Sequence, residues 1–383
     1  MSRRDTPDSA LALTLPRRPA TLQDVAGALG MHKSTVSLAL SGKGTISAET
    51  RRRVLSVARE LGYEPNILAQ RLAHGQGTTM VCIFSGVLDV GLATEKILLI
   101  QKALAARSLE VPIYTCCDPV SAAGAVEVVP GGEDDGESQA AQVRQLCRQR
   151  PRAVVCAAQR VHPAVFRELE AYRRGGGIVV AYDTPVPLEC DQVVFDREDN
   201  GYRAARRLLD AGHRRIGVGM SLGPGAAGNA GGVQDYRMRG FRRALDEAGV
   251  PFRDDWFFRN ATYEKGGAEM ARQFLSLPPA DRPTALAVVN DYVALAFMVE
   301  VMRAGVRIPA DLSVVGHDDQ PIAAYCPVPL TSMTQPVDRI AREVVDLLLT
   351  RVNGDVPADA PARVVRVAGE LVERQSVAAP AGE

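Results

Sequence analysis

Apolar positions near the start of the chain fall into short runs with helical spacing, each closed by a glycine or a polar cap. Thr21 to Gly30 reads as one short helix: Thr21 is placed to cap it, Asp24 completes a capping box, and Gly30 ends it. Lys33 to Leu40 reads as a second helix, with Val36 and Leu40 one turn apart on a single face. A third starts behind Ser47, where Val54, Leu55, Ala58 and Leu61 recur at helical intervals and Gly62 stops the run. The pattern predicts a three-helix core made from those four residues with Val25, Leu29, Val36 and Leu40. Two short helices joined by a glycine turn have the form of a helix-turn-helix, whose second helix enters the major groove of DNA. A further short helical segment is expected from Asn66, which can cap it, to Ala73.

From residue 78 the period changes. Short β-branched runs at 80–84, 111–116, 153–157, 178–182, 215–219, 285–289 and 313–316 alternate with amphipathic stretches at 95–107, 137–150, 163–174, 201–211, 236–248 and 292–304. This alternation predicts parallel sheets covered by helices on both faces, a doubly wound α/β architecture. It runs through two successive units, which implies two lobes with a cleft between them. The glycine-rich, acidic stretch from Gly124 to Gly136 is expected to be a surface loop, and Gly223 to Gly232 a loop near the cleft.

Composition sharpens this division. The 383 residues include 46% hydrophobic positions, enough for two or three domains with large cores. The chain is formally neutral, with 45 basic and 45 acidic side chains. Residues 1–75, however, hold eleven basic groups (Arg3, Arg4, Arg17, Arg18, Lys33, Lys43, Arg51, Arg52, Arg53, Arg59, Arg71) against six acidic ones (Asp5, Asp8, Asp24, Glu49, Glu60, Glu64). A headpiece of net charge +5 thus precedes a body of −5. Behind a helix-turn-helix, the basic excess and the triplet Arg51-Arg52-Arg53 suit phosphate contact, which gives salt-sensitive affinity for any sequence. The seven cysteines are odd in number, mostly set in apolar runs and without metal-ligand spacing, so reduced thiols and a cytoplasmic location are expected. No apolar run has the length of a membrane span, and no apolar signal core opens the chain. Met1 to Pro19 is polar, proline-punctuated and expected to be disordered.

Several segments together resemble the LacI (lactose repressor)/GalR family of bacterial transcription regulators. They are Thr21 to Ala26, Ser34 to Ser37, Glu49 to Leu61 and Gly62-Tyr63-Glu64-Pro65-Asn66, followed by Phe195 to Gly201, Gly212 to Ile216, Arg237 with Gly240-Phe241, Asn290-Asp291, Pro309 to Asp319, Thr331 to Pro336 and Gly369 to Ser376. The resemblance runs from about Ala20 to about Val377. It implies a helix-turn-helix domain at 20–64, a hinge helix and linker at 65–77, and a periplasmic-binding-protein-like body at 78–383. Lobe 1 would comprise about 78–195 and 335–364, lobe 2 about 196–334 and 365–383, with three crossovers near Phe195, Thr334 and Val364. It further implies a homodimer on a palindromic double-stranded operator, with a small-molecule effector, most often a sugar, in the interlobe cleft.

The same resemblance assigns roles to single residues. Lys33 and Ser34 would face base edges, Thr35 and Ser37 would hold phosphates, and Leu38 would meet a thymine methyl where an arginine is common. Thr21, Asn66 and Ala69 would also face DNA, and Leu72 would be a hinge leucine wedged between base pairs in the minor groove. His32 stands where a serine usually caps the second helix. Asp183, Arg237, Asn290 and Asp318 would line the effector cleft, the arginine gripping hydroxyls or a carboxylate and Asp318 accepting from hydroxyls. For Asp291 a capping role is the simpler expectation. Ala261 occupies a position where sugar-responsive relatives carry an aromatic ring, which leaves a non-carbohydrate effector open. A transporter's solute receptor would have no use for the headpiece. An enzyme lacks support: there is no Gly-x-Ser-x-Gly elbow, metal-ligand cluster or lysine-bearing phosphate loop, and neither a cofactor nor a metal is expected. His213 and His317 are expected to be structural.

Overall fold

Local chemistry sets the ends of the first helices. In a computed structural model, which describes residues 20–41, 46–63, 78–86, 88, 92–115, 135–220, 233–259, 263–357 and 360–380, helix α1 spans Leu22–Leu29. The Asp24 amide donates to Thr21 Oγ1 (3.3 Å) and the Thr21 amide donates back to Asp24 Oδ2 (2.8 Å), a reciprocal capping box. Gly30 closes α1 at φ 61°, a left-handed conformation that glycine adopts without a Cβ penalty. Helix α2 spans Lys33–Ser41 and α3 spans Ala48–Glu60, the latter capped by Ser47, whose Oγ accepts from the Thr50 amide at 3.1 Å. His32 takes the place of the usual capping serine, its Nδ1 lying 3.4 Å from the Ser34 amide and 2.8 Å from Ser34 Oγ.

The three helices close over Val25, Ala26, Val36, Ala39, Val54 and Ala58, with Leu22, Leu29, Leu40, Val57 and Tyr63 packed around them. Two expected core residues are displaced from it: Leu55 and Leu61 remain 44% and 43% exposed. Helical spacing from Val54 to Ala58 defines the stripe, and its third and fourth members are Val57 and Tyr63 rather than the two leucines. Expectations for residues 1–19, for Asn66, Ala69 and Leu72, for Cys116 and Cys117, for most of 124–136, for 223–232 and for Ala261 lie outside the described residues.

Residues Thr79–Glu383 form a second unit. Its first sheet has the order β11-β5-β4-β3-β1-β2 and is parallel throughout. The strands are β1 Val81–Ser85, β2 Ile113–Thr115, β3 Ala153–Ala157, β4 Ile178–Asp183, β5 Asp191–Phe195 and β11 Val364–Val367. The second sheet has the order β12-β10-β9-β8-β6-β7, from β6 Ile216–Met220, β7 Phe257–Arg259, β8 Ala285–Val288, β9 Ser313–Asp318, β10 Thr331–Thr334 and β12 Leu371–Val372. Only β12 runs antiparallel to its neighbour. Helices α4 Leu92–Ala105, α5 Asp135–Arg148, α6 Pro163–Arg174 and α11 Val337–Val352 pack on the first sheet. Helices α7 Arg197–Asp210, α8 Val233–Glu247, α9 Tyr263–Ser276 and α10 Asp291–Arg303 pack on the second. Cys82, Cys156, Cys190 and Cys326 are buried free thiols, and burial pushes the Cys82 thiol up to about 12.

Among the described residues the chain passes between the sheets after Phe195, after Thr334 and after Val367. The third crossing follows Val367, at the end of β11, which pairs along its length with β5. The crossings are bonded side by side. The Asp196 amide donates to Val367 O (2.9 Å), the Thr334 amide to Glu370 O (2.7 Å) and Asn200 Nδ2 to Thr334 O (3.1 Å). Beside them α7 and α8 meet backbone to backbone through two glycines. A Cβ on Gly240 would run into the Glu198 carbonyl oxygen, and one on Gly201 into the Arg237 carbonyl oxygen.

This contact leads to a first prediction. Gly240→Ala should destabilise the two-lobed unit by about 1–3 kcal/mol or more, since two helix backbones must separate. Gly27→Ala, in an exposed helix position with open space around it, should instead stabilise the headpiece by about 0.5–1 kcal/mol. Urea denaturation of both variants checks the contrast, and equal midpoints would contradict it.

Candidate functional site

Two surfaces carry the residues singled out in the sequence. On the headpiece, the N-terminal part of α2 presents Lys33, Ser34 and Leu38 to solvent, while Val36 and Ala39 point inward. Thr35 and Ser37 are half-buried beside them, and Thr21 is occupied in its capping box with Asp24. On α3, Arg51, Arg52 and Arg53 are all exposed.

The second surface is at the carboxyl ends of the two parallel sheets, where α/β folds place their ligands. Asp183 ends β4 and Asp318 ends β9, at φ 89° and 91°, a left-handed region that few residues with a side chain enter. Asp183 is 2% exposed and sits between two cations. Lys96 Nζ from α4 donates to its Oδ2 at 2.6 Å, and Arg197 from the start of α7 pairs with its Oδ1 and donates to its backbone carbonyl at 2.9 Å. Burial alone would raise the Asp183 carboxyl. The Arg197 guanidinium and the Lys96 ammonium outweigh burial and hold it well below the usual carboxylate range. Burial in turn draws the Lys96 ammonium below its ordinary value, opposed by Asp183.

The chain of contacts continues into the second lobe. Lys96 Nζ also donates to Gln335 Oε1 (2.7 Å), Gln335 Nε2 to Asp318 Oδ1 (3.4 Å), and Arg237 to the same oxygen (3.1 Å). Arg237 is 4% exposed, and burial lowers its guanidinium to about 10, still cationic at neutral pH. Gln335 belongs to the second crossover, so one polar relay runs from lobe 1 through a hinge strand to lobe 2. Arg197 also lines a cavity of about 330 Å³ beside the first crossover, where Glu198 and Asp199 are already paired with Arg243 and Arg203.

Of the four expected cleft residues, Asp318 and Arg237 touch each other, and Asp183 joins them only through Lys96 and Gln335. Asn290 stands at the start of α10 without a capping bond, and its Oδ1 has no partner among the described residues. Asp291 is wholly buried and acts as a tether rather than a cap. Its Oδ2 accepts from the Gln320 amide (2.6 Å) and its Oδ1 from Ser332 Oγ (2.7 Å), while burial raises its carboxyl well above the usual range. His317 Nδ1 donates to Val288 O (3.0 Å), burial holds the ring at about 4, and Nε2 is unpartnered among the described residues. His213 bridges Thr284 Oγ1 and Ala378 O, both at 2.9 Å, an anchoring role. Lys96, Arg197 and Gln335 were not anticipated at the cleft. Lys96 had a signal, since it falls on the same apolar stripe as Ile97, Ile100 and Leu104.

Comparison with known proteins decides the family. Residues 21–66 match the model of bacterial regulatory proteins, lacI family, and residues 205–377 match a periplasmic binding protein-like domain. The HTH-type transcriptional repressor PurR of Aliivibrio fischeri (strain MJ11) is 26% identical over 359 residues, covering 94% of this chain and 98% of that protein. The chain belongs to the LacI family of bacterial regulatory proteins. PurR of Edwardsiella ictaluri (strain 93-146) is 27% identical over the same share of this LacI-family chain. Among solved structures, the lac repressor dimer bound to operator and the anti-inducer ONPF aligns with a TM-score of 0.74 over 94% of this chain and all of that one, at 23% identity. The complex of the transcriptional regulator CelR with cellobiose aligns at 0.63 and 25% identity over the same shares. Among the described residues of this regulator, no helix is long and apolar enough to cross a membrane.

The Asp183 cluster yields a second prediction for the LacI-family body. Asp183→Asn leaves two buried cations without their anion and should cost about 3–5 kcal/mol at neutral pH. Because the folded carboxyl is depressed, its stabilisation is present above the ordinary carboxylate value of about 4 and is lost as pH falls below it toward the folded value. Denaturation midpoints from pH 7 to pH 3 should therefore fall less steeply in the variant, and parallel curves would contradict the assignment.

Proposed function

We propose that this protein is a transcriptional repressor that binds a roughly palindromic operator as a homodimer and is controlled by a small molecule in the interlobe cleft. The observation that carries the DNA-binding half is the split of α2: Lys33, Ser34 and Leu38 are exposed on one side, and Val36 and Ala39 are buried on the other. A helix held by its apolar face and offering lysine and serine at its N-terminus suits insertion into the major groove. Lys33 donates to guanine, Ser34 meets either base type, Leu38 meets a thymine methyl, and Thr35 and Ser37 hold phosphates. Thr21, Asn66 and Ala69 add contacts, and Leu72 wedges into the minor groove. Arg51, Arg52 and Arg53 supply sequence-independent attraction. A regulator of this kind works in the cytoplasm. The lac repressor dimer seen on its operator and the PurR repressors support this reading by family membership.

The control half rests on the relay. Asp183, Arg237, Asn290 and Asp318 are the effector contacts, and a sugar or related metabolite is the ligand class favoured by the CelR–cellobiose complex. An effector that exchanges hydrogen bonds with Asp318 and Arg237 competes with Gln335 for Asp318 and with Asp318 for Arg237. It thereby shifts the population of lobe angles by its differential affinity for them, and the chain joining body to headpiece transmits the change.

A third prediction follows for the headpiece. Lys33→Ala should lose about 1–3 kcal/mol on the preferred operator and little on random DNA, relaxing base preference. Arg52→Ala should weaken both equally and reduce the slope of log affinity against log salt by about 1. Fluorescence anisotropy on a selected operator and a scrambled duplex separates the two, and equal losses on both duplexes for both variants would refute the division of roles.

A further inference from the structure

The cleft charges do not balance. Lys96, Arg197 and Arg237 are all at least 96% buried there, and they face two carboxylates, Asp183 and Asp318. Neighbouring acids are committed elsewhere. Glu198 is bound to Arg243 and Arg239, Asp199 to Arg203, and Asp319 to Arg374. Asp291 is fully buried, and both of its carboxyl oxygens are taken, by Ser332 Oγ and the Gln320 amide. A buried group of three cations and two anions is stabilised by an incoming negative charge, because low dielectric magnifies the excess.

Hydrogen-bonding capacity points the same way. Among the described residues, Arg237 Nε and Arg197 Nε are buried donors without a partner, as is the Tyr182 hydroxyl. Asn290 Oδ1 is an unpartnered acceptor, and so is His317 Nε2, since its ring proton is on Nδ1 facing Val288 O. One oxygen of Asp318 carries both of its bonds, and its side chain is 15% exposed. The set therefore offers guanidinium donors for an anion and three acceptors for hydroxyl or amine hydrogens.

We propose that the effector is a small anionic polyol, a carboxylate- or phosphate-bearing metabolite rather than a neutral sugar or purine base. Arg237 receives its anionic group, and Asn290, His317 and Asp318 accept from its hydroxyls. Lys96 supplies the charge excess without touching the ligand. The inference rests on the reading of the cleft as the effector site.

The test uses full-length protein and a fixed panel: gluconate and glucuronate, glucose 6-phosphate, glucose and galactose, and guanine. Thermal shift and isothermal titration give affinities, and operator binding is measured in the same samples. An acidic member should bind about tenfold or more tighter than its neutral parent, the factor that one charge-assisted hydrogen bond supplies. The carboxylate and phosphate arms then identify the anion. Lys96→Met should shrink the acid-to-neutral ratio, and Asp318→Asn, which removes a carboxylate instead of a cation, should enlarge it. Neutral sugars or guanine binding as tightly as the acids would overturn the anionic class and leave the effector site standing. Unchanged ratios in both variants would overturn it equally, as would binding by no member. Absence of operator recognition both without ligand and with every panel member would instead count against the repressor reading itself.

Discussion

The carboxylate of Asp183, wedged between Lys96 and Arg197, is the interaction around which the body is organised. A single buried charge in that position would cost several kcal/mol, and each of the three groups is tolerable only while the others stay in place. Lys96 comes from α4 of lobe 1, and Arg197 opens the first helix of lobe 2 directly after the first crossover. The ion cluster therefore ties the lobes together at the point where the chain leaves one for the other. Gln335 extends the tie through the second crossover to Asp318 and Arg237.

That arrangement makes a cleft whose walls and hinge share hydrogen bonds. The three crossings are bonded to one another through Asp196, Val367, Thr334, Asn200 and Glu370. The α7–α8 contact through Gly201 and Gly240 sets the Arg237 backbone directly against α7. A change at Asp318 is then felt at Gln335 and Lys96 without a long pathway, because these groups are in direct contact. Groups in direct contact across two lobes can be biased only by something that binds their alternative arrangements with different affinity.

Much of this was legible in the sequence, for reasons that differ by residue. Thr21, Asp24, Gly30 and Ser47 were readable because capping depends on chemistry a few residues away. The alternation of strands and helices in the body was readable because most strands are buried on both faces and appear as unbroken apolar runs. Less local features were hidden. The periodicity passed over Phe257–Arg259 and Thr331–Thr334, which are short, and Asp191–Phe195, which opens with two polar residues. It also passed over α9 and α11, and α11 packs in lobe 1 although it follows a strand of lobe 2. Leu55 and Leu61 show that spacing alone does not say which apolar positions face inward. Asp183 and Asp318 were named from motif matches, but their link through Lys96 and Gln335 joins positions up to 239 residues apart. No local pattern encodes such a contact.

Whether the relay is continuous is measured by a double-mutant cycle between Lys96 and Asp318, two members that share no hydrogen bond and are joined by Gln335. Unfolding free energies of Lys96→Met, Asp318→Asn and the pair, taken by urea titration without ligand, give the coupling between lobe 1 and lobe 2, the Gln335 bridge and the direct charge attraction together. A continuous relay should give a coupling energy of about 1 kcal/mol or more, as for residues in one hydrogen-bonded network. Effects that add to within about 0.3–0.5 kcal/mol would contradict it, since independent sites behave that way.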